Sequence, residues 1–434
     1  MKALIVGTAL DTNGQNARFV EAAQRWGDDP DVLKALVVGK YDPADVGGRF
    51  REAAKKIGGL SIRSAHASEA YFEFPADIRW MPRRHGHPNN ALVQQLADEC
   101  DVIHLNNSHH AYNRLRMHRL RKPALLHHHG SLLRSKGVAL VQDAARFNMV
   151  QAVSTIDLLR WAPEAHWLPT AYDLDELAAV RAEYRRPDDG LVRIVSCPTN
   201  AEYKSTALLE AAVKQLQAEG LPVELVLVSG KRWAEALAIK ATADIYFDQV
   251  AVPSIDYPGG VGCNAIEAWG MGIPVVAGAD EWTTERMRQE WNLKEGDRLP
   301  FLEATNDTIA DALRRLVVDA ELRDSYSVLG RWHVETYHAE KPALARLAEL
   351  YGMALAKGQA AVEAGATYDE FAPGTFRTEL SKLVLQVGSR QFRFTDQELT
   401  IDDPATAQKI RRIAQARKRF LITEVEYQQT EGAA

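Results

Sequence analysis

The stretch DYPGGVGCNAIEAWGMGIPVVAG, Asp256–Gly278, sets a glycine cluster ahead of a short helical pattern carrying Glu267, and then runs through Gly270-Met271-Gly272-Ile273-Pro274 into an apolar segment. Glycine lets a backbone approach an anion closely, and the N-terminus of a helix favours negative charge. A second motif, SCPTNAEYKST at Ser196–Thr206, places Lys204 near the start of another helix. An ammonium there can neutralise a diphosphate leaving group, although a lone lysine on a first helical turn is as readily a solvated one. A third, GTALDTNGQN, holds Gly7, Gly14 and Gln15 between the first apolar run and the first helical pattern. It does not match G-x-G-x-x-G, so no NAD site is read from it.

Nine of the 13 histidines fall between His85 and His129, with His109-His110 and His127-His128-His129 adjacent in sequence. Imidazole is a common zinc ligand, but neighbours on a strand point to opposite faces. His127 and His129 therefore share a face that His128 opposes. No Cys or carboxylate pattern accompanies them and H-E-x-x-H is absent, so no metal site is expected.

These motifs need a scaffold that brings strand ends together. Strand candidates are Lys2–Ala9, Leu33–Val38, Leu60–Ser64, Val102–Asn106, Ala124–His128 and Met149–Ser154, then Val192–Cys197, Val223–Val228, Asp244–Phe247 and Pro274–Ala277. Helical patterns alternate with them at Asn16–Trp26, Ser205–Glu219, Trp233–Ala241, Asn264–Met271 and Thr308–Val318. Such alternation predicts parallel sheets covered on both faces, here twice over. The expected domains are residues 1–180 and 190–340, joined near Arg181–Asp189, with a long helix over 341–358 and a small β/α module over 365–434. In that module Leu383–Thr400 reads as a hairpin and Pro404–Phe420 as a basic amphipathic helix. In open α/β sheets ligands sit beyond the carboxyl ends of strands, so the crevice between the two domains is the expected site.

The chain has 434 residues, 46% of them hydrophobic and 25% charged, which excludes a fibrous or disordered protein. Its apolar runs are far shorter than the ~20 residues of a membrane-spanning helix, and the first run lacks the features of a signal peptide. Cys100, Cys197 and Cys263 are scattered, which suits a reducing compartment. A net charge of −6 gives no overall pull toward nucleic acid or membrane. A cytoplasmic protein is expected.

Taken together, the motifs resemble the donor-binding signature of retaining GT-B glycosyltransferases, family 4 in particular. Gly262 and Glu267-Ala268 keep the spacing of that family's glycine loop and Glu-Ala pair, and Gly272, Pro274, Val275 and Val276 complete it. Lys204-Ser205-Thr206 is similar to the family's K-G-T, and ADIYFDQV, Ala243–Val250, to the A-D-I-x-x-D-Q strand of one subgroup. In the first half, DVIHLNN, KPALLHHHGSLLR and AVSTIDLLRWAPEAHWLPTAYDLDEL follow the family's order, so the match runs over roughly residues 2 to 351.

The resemblance implies an α/β chain of GT-B class: two facing Rossmann-like domains, the first for the acceptor and the second for the donor, plus a small C-terminal β/α appendage. It implies transfer of a sugar from a UDP- or GDP-sugar to a hydroxyl with retention and without a metal, the nucleotide-sugar being substrate and no cofactor being needed. Catalysis is expected from His129, Lys204 and Glu267, with Glu267 on the donor ribose and His129 facing the sugar. Gly14, Ser229, Lys231, Gly260, Gly262 and Asn264 complete the donor site. Two positions depart from the family. Gly259 stands where many members have an acidic residue, and Pro198–Tyr203, just before Lys204, lacks the Arg that the family frequently has there, a charge that Lys231 and Arg232 are expected to supply instead. A non-catalytic binding or assembly protein of the same fold and a nucleotide-sugar epimerase are the alternatives. The acceptor is left open among glycan, protein, lipid and modified nucleic acid. Basic runs at Arg114–Lys122 and Lys409–Arg419 are read as solvated helix faces. The appended module loosely resembles small modules of bacteriophage structural proteins, which would make it a contact for a protein partner.

Overall fold

A computed structural model describes residues 32–40, 42–67, 76–81, 87–107, 111, 115, 122–187 and 189–363, with short segments between 374 and 424. The expected strand Lys2–Ala9 and helix Asn16–Trp26, with Gly7, Gly14 and Gln15, lie outside the described residues. So do the basic runs, save Leu115, Lys122 and Ile410. The described residues fall into two compact units, one up to 363 and one from 374 on.

In the larger unit, β1 (Leu33–Gly39), β2 (Leu60–His66), β3 (Ile78–Arg79), β4 (Val102–Asn106), β5 (Ala124–His128), β6 (Val150–Val153) and β7 (His166–Trp167) form one sheet. Its order is β3-β2-β1-β4-β5-β6-β7, with every neighbouring pair parallel. A second parallel sheet, ordered β12-β11-β10-β8-β9, is built from β8 (Val192–Ser196), β9 (Val223–Leu227), β10 (Ile245–Phe247), β11 (Val275–Ala277) and β12 (Leu302–Glu303). Parallel strands covered on both faces are mostly apolar, and the central strands are fully buried, as at Val275–Ala277 and at Val102–Asn106, where His104 and Asn106 are the polar exceptions.

Helical stripes provide the cover. In the helix Ile309–Val318 the buried positions are Ile309, Ala312, Leu313, Leu316 and Val317, a spacing that puts one apolar face on the second sheet. The helix Leu174–Tyr184 begins before the join expected at Arg181–Asp189 and already packs on the second half, its Leu177 lying against Gly270. The helix Glu340–Glu363 turns back. Its Ala343, Leu344, Leu347, Leu350 and Tyr351 are buried with Ala35, Val37, Leu125 and Val150 of the first half. Each such large apolar side chain contributes about 1.5–3 kcal/mol on burial, so this helix ties the end of the second half to the first sheet. A further apolar cluster is shared by both halves, joining Leu158, Trp167 and Tyr172 to Tyr246, Ile266 and Trp269.

In the smaller unit, β13 (Gly374–Thr378) pairs antiparallel with β16 (Glu398–Ile401) and β17 (Ile422–Glu424). There β14 (Val384–Val387) and β15 (Arg390–Arg393) form a separate antiparallel pair. Among the described residues, no helix is long and apolar enough to cross a membrane.

Candidate functional site

The carboxyl ends of β8 and β9 open onto a cavity of about 320 Å³ between the two halves. Lys204 reaches it from the loop after β8, Ser229 and Lys231 from the loop after β9, and Asn264 and Glu267 from the helix Cys263–Gly270. The first half contributes Ala44 and Arg49.

Glu267 is 4% exposed, and each of its carboxylate oxygens has a partner. Its Oε1 accepts a hydrogen bond from Trp233 Nε1 at 2.8 Å, and its Oε2 is paired with the Lys240 ammonium. Arg49 approaches Oε1 to 3.5 Å, with its guanidinium over the rings of Tyr172 (4.1 Å) and Trp233 (5.1 Å). Lys240, buried like its partner, also donates to Asn264 Oδ1 at 2.8 Å, and Asn264 Nδ2 donates to the Cys197 carbonyl at 3.2 Å. Burial pushes the Glu267 carboxyl up, but the charges of Lys240 and Arg49 outweigh it and hold the group below the usual glutamate range. The carboxylate is therefore ionised, rigid and aimed along the cavity wall.

Lys204 precedes the helix Thr206–Ala218 in a turn closed by its own amide to the Asn200 carbonyl, at 3.0 Å. The next residue, Ser205, has φ 52° and ψ 34°, a left-handed conformation that glycine adopts at less cost than other residues. Lys204 Nζ donates to Oδ1 of the fully buried Asp248 at 2.5 Å, and Asp248 Oδ2 accepts from the Gly262 amide at 2.8 Å. A Cβ on Gly262 would stand 3.4 Å from Lys204 Nζ, so the glycine leaves room for the lysine. Two loop amides expected to hold phosphates are thus engaged within the protein, since Gly260 also donates, to the Gly278 carbonyl at 2.9 Å. Gly259 has φ 75°, and a Cβ there would lie 2.3 Å from the Gly278 carbonyl oxygen. No larger side chain has space at this position. The acidic group beside the glycine loop is Asp248.

The histidines form a buried network at the ends of β4 and β5. His104 Nδ1 meets the Tyr351 hydroxyl at 2.9 Å and its Nε2 meets His127 Nδ1 at 3.2 Å. His127 Nε2 is buried with no partner among the described residues. His128, on the opposite face, donates from Nε2 to Gln151 Oε1 at 3.0 Å. The His129 ring lies 4.1 Å from that of His127, and its Nε2 donates to Asn106 Oδ1 at 3.1 Å. Asn106 Nδ2 in turn donates to Asp42, which accepts the Gly47 and Gly48 amides. Burial drives His104 down to about 3 and holds His127 and His129 well below the ordinary value, so all three are neutral. Among the described residues, no three His, Cys, Asp or Glu side chains gather as a metal site.

Of the residues singled out in the sequence, the structure brings Lys204, Ser229, Lys231, Asn264 and Glu267 to one cavity, with Gly262 against Lys204. His129 and Gly260 do not line it, and Gly14 lies outside the described residues. Arg49, Trp233, Lys240 and Asp248 were not foreseen. Asp248 had a signal, because a charged residue at the end of an otherwise apolar strand must find a partner. Arg49 had none, because its role depends on how the two halves meet.

Neither a protein-family model nor a curated protein sequence matches this chain. Among solved structures, an α-glucosyltransferase in complex with UDP is similar over 74% of this chain and 100% of that one, at 10% identity and a TM-score of 0.50. An α-glucosyltransferase in complex with UDP and a 13-mer DNA containing a central A:G mismatch is similar over 74% and 99%, at 9% identity and 0.50. A sucrose-phosphate synthase from Thermosynechococcus elongatus covers 75% and 99%, at 15% identity and 0.49. The first two likenesses establish the fold, and the chain has the GT-B arrangement of two Rossmann-like halves. At such identities the chemistry rests on the site itself.

Proposed function

We propose that this protein is a glycosyltransferase that moves a sugar from a UDP- or GDP-sugar to an acceptor hydroxyl, with retention and without a catalytic metal. One observation carries the reading. The lysines Lys204 and Lys231 and the ionised carboxylate of Glu267 share a cavity at the strand ends of a GT-B fold. Lys204 and Lys231 match the diphosphate, and Glu267, held by Trp233 and Lys240, matches the ribose hydroxyls. The UDP bound by the α-glucosyltransferases of the same fold makes uracil the first base to try.

In the reaction the bond from the anomeric carbon to the diphosphate oxygen breaks as the bond to the acceptor oxygen forms on the same face. The acceptor proton passes to the leaving phosphate, and the nucleoside diphosphate departs. Negative charge grows on the diphosphate during this step, which is where fixed cations lower the barrier. His129, neutral, held at Nε2 by Asn106 and outside the lining of this cavity, is carried to the sugar side by the resemblance alone.

The test is thermal stability in the presence of UDP, GDP, ADP and their sugars, with Lys204→Ala and Glu267→Ala alongside. A ligand at about 100 times its dissociation constant adds about 2.7 kcal/mol of stability. Stabilisation by one nucleotide family, lost in both variants, supports the donor site. No stabilisation by any member of the panel overturns it in favour of a non-catalytic assembly protein. Anomeric configuration of the product, read by NMR, decides retention.

A further inference from the structure

Lys204 has its counter-ion built in. Asp248, at the end of β10, is 0% exposed and does not line the cavity. One carboxylate oxygen holds Lys204 Nζ at 2.5 Å and the other holds the Gly262 amide at 2.8 Å, so the carboxylate fixes the lysine against the glycine loop from behind. An ammonium has three donors, and one is spent on Asp248, leaving the others for the cavity that Lys204 lines. Lys204 cannot leave without stranding a buried carboxylate, which is costly. Its position is thereby set before any ligand arrives. The carboxylate also offsets most of the lysine's charge as seen by an incoming anion.

Resting on the donor-site reading above, we propose that Asp248 is a positioning residue that holds Lys204 at the diphosphate and restrains how tightly the nucleoside diphosphate product is held. Strong charge pairing would make that product slow to leave, whereas a lysine neutralised from behind can still orient a phosphate. Lys231, which lines the same cavity, has no ion-pair partner among the described residues and supplies the uncompensated charge.

Calorimetric binding of UDP, GDP and ADP, each beside its nucleoside, tests this on wild type, Lys204→Ala and Asp248→Asn. Asparagine keeps the shape and an acceptor for the Gly262 amide; Asp248→Ser removes the same charge if asparagine is not tolerated. Removing one negative charge a few Å from the ligand is expected to tighten the bound diphosphate about tenfold, with a steeper salt dependence and nucleoside affinity unchanged. Lys204→Ala is expected to weaken the diphosphate. A variant that binds diphosphate as wild type does, or that loses diphosphate and nucleoside together, overturns the role of Asp248 and leaves the donor site standing. Wild type that binds none of the three overturns the donor-site reading, and this inference with it.

Discussion

Arg49 and Glu267 approach to 3.5 Å although they belong to different halves of the larger unit. Arg49 rides on the helix Val46–Ile57, which covers the first sheet, and Glu267 on the helix Cys263–Gly270 of the second. Tyr172 and Trp233 lie on the arginine, so the contact is both an ion pair and an aromatic clasp. The wall of the candidate site is therefore completed only where the halves meet.

Replacing Arg49 by Met is expected to destabilise the protein by about 1–3 kcal/mol, through loss of a desolvated cation–π contact and one of Glu267's partners. The comparison is Lys56→Met. Lys56 also bridges distant elements, pairing with Asp173 and Glu340, but its side chain is 51% exposed. There the cost is expected below about 1 kcal/mol. Urea unfolding of both variants decides the order; equal costs would mean that the clasp contributes nothing beyond a surface pair.

Lys240→Met removes the cation closest to Glu267, and the effect should depend on pH. In wild type the folded-state carboxyl lies below its ordinary 4.5, so its stabilisation is complete above that value and is lost as pH falls through the folded value. In the variant the buried carboxylate loses its main partner, which costs about 3–5 kcal/mol at pH 7. Protonation relieves that cost, so the gap between variant and wild type should narrow toward pH 4. A gap that stays constant between pH 7 and 4 would show that Glu267 is not held ionised by Lys240.

Much of this architecture is legible in the sequence because apolar runs of strand length are hard to mistake. Val102–Asn106 and Ala124–His128 form as the pattern predicts, and the helix Cys263–Gly270 carries Glu267 where the glycine motif sets it. The two-residue strands β3, β7 and β12 have too few residues to show a period. The docking of Leu347 and Tyr351 on the first sheet is also hidden, since an apolar stripe says that a helix is covered but not by what. Within the site, Lys240 reads as an ordinary helix lysine until the fold buries it beside Glu267.

Gly259 gives a sharp steric test. A Cβ would lie 2.3 Å from the Gly278 carbonyl oxygen and 2.6 Å from the Ala251 amide nitrogen, and the φ of 75° is strained for any L side chain. Both obstacles are backbone, so neither can rotate away. Gly259→Ala is expected to cost about 3 kcal/mol or more, and Gly259→Asp, with a larger side chain, at least as much. Thermal unfolding checks both. An Asp variant as stable as wild type would mean that the loop adapts and that glycine here is incidental.

The buried histidines predict an acid sensitivity that sets in as pH falls through 6.5, opposed in part by Asp45, whose carboxyl burial raises to about 7 and which is therefore favoured in the fold as it protonates. His104 is packed against Tyr351 and His127, and burial lowers it from 6.5 to about 3. The unfolded chain therefore binds a proton near pH 6.5 that the folded chain refuses. Stability contributed by the neutral ring is complete above pH 6.5 and drains away as pH falls below it, by about 1 kcal/mol between pH 7 and 5.5 for one such residue. His66, His127 and His129 are lowered in the same sense, so the wild-type loss should be several times larger. His104→Asn takes one titrating ring out of both states and should flatten the profile by that single increment, even if it lowers stability at every pH. Unfolding free energies from urea at pH 7 and 5.5 supply the measurement. Equal slopes for variant and wild type would show that His104 does not resist protonation in the fold, and the neutral network around His129 would have to be redrawn.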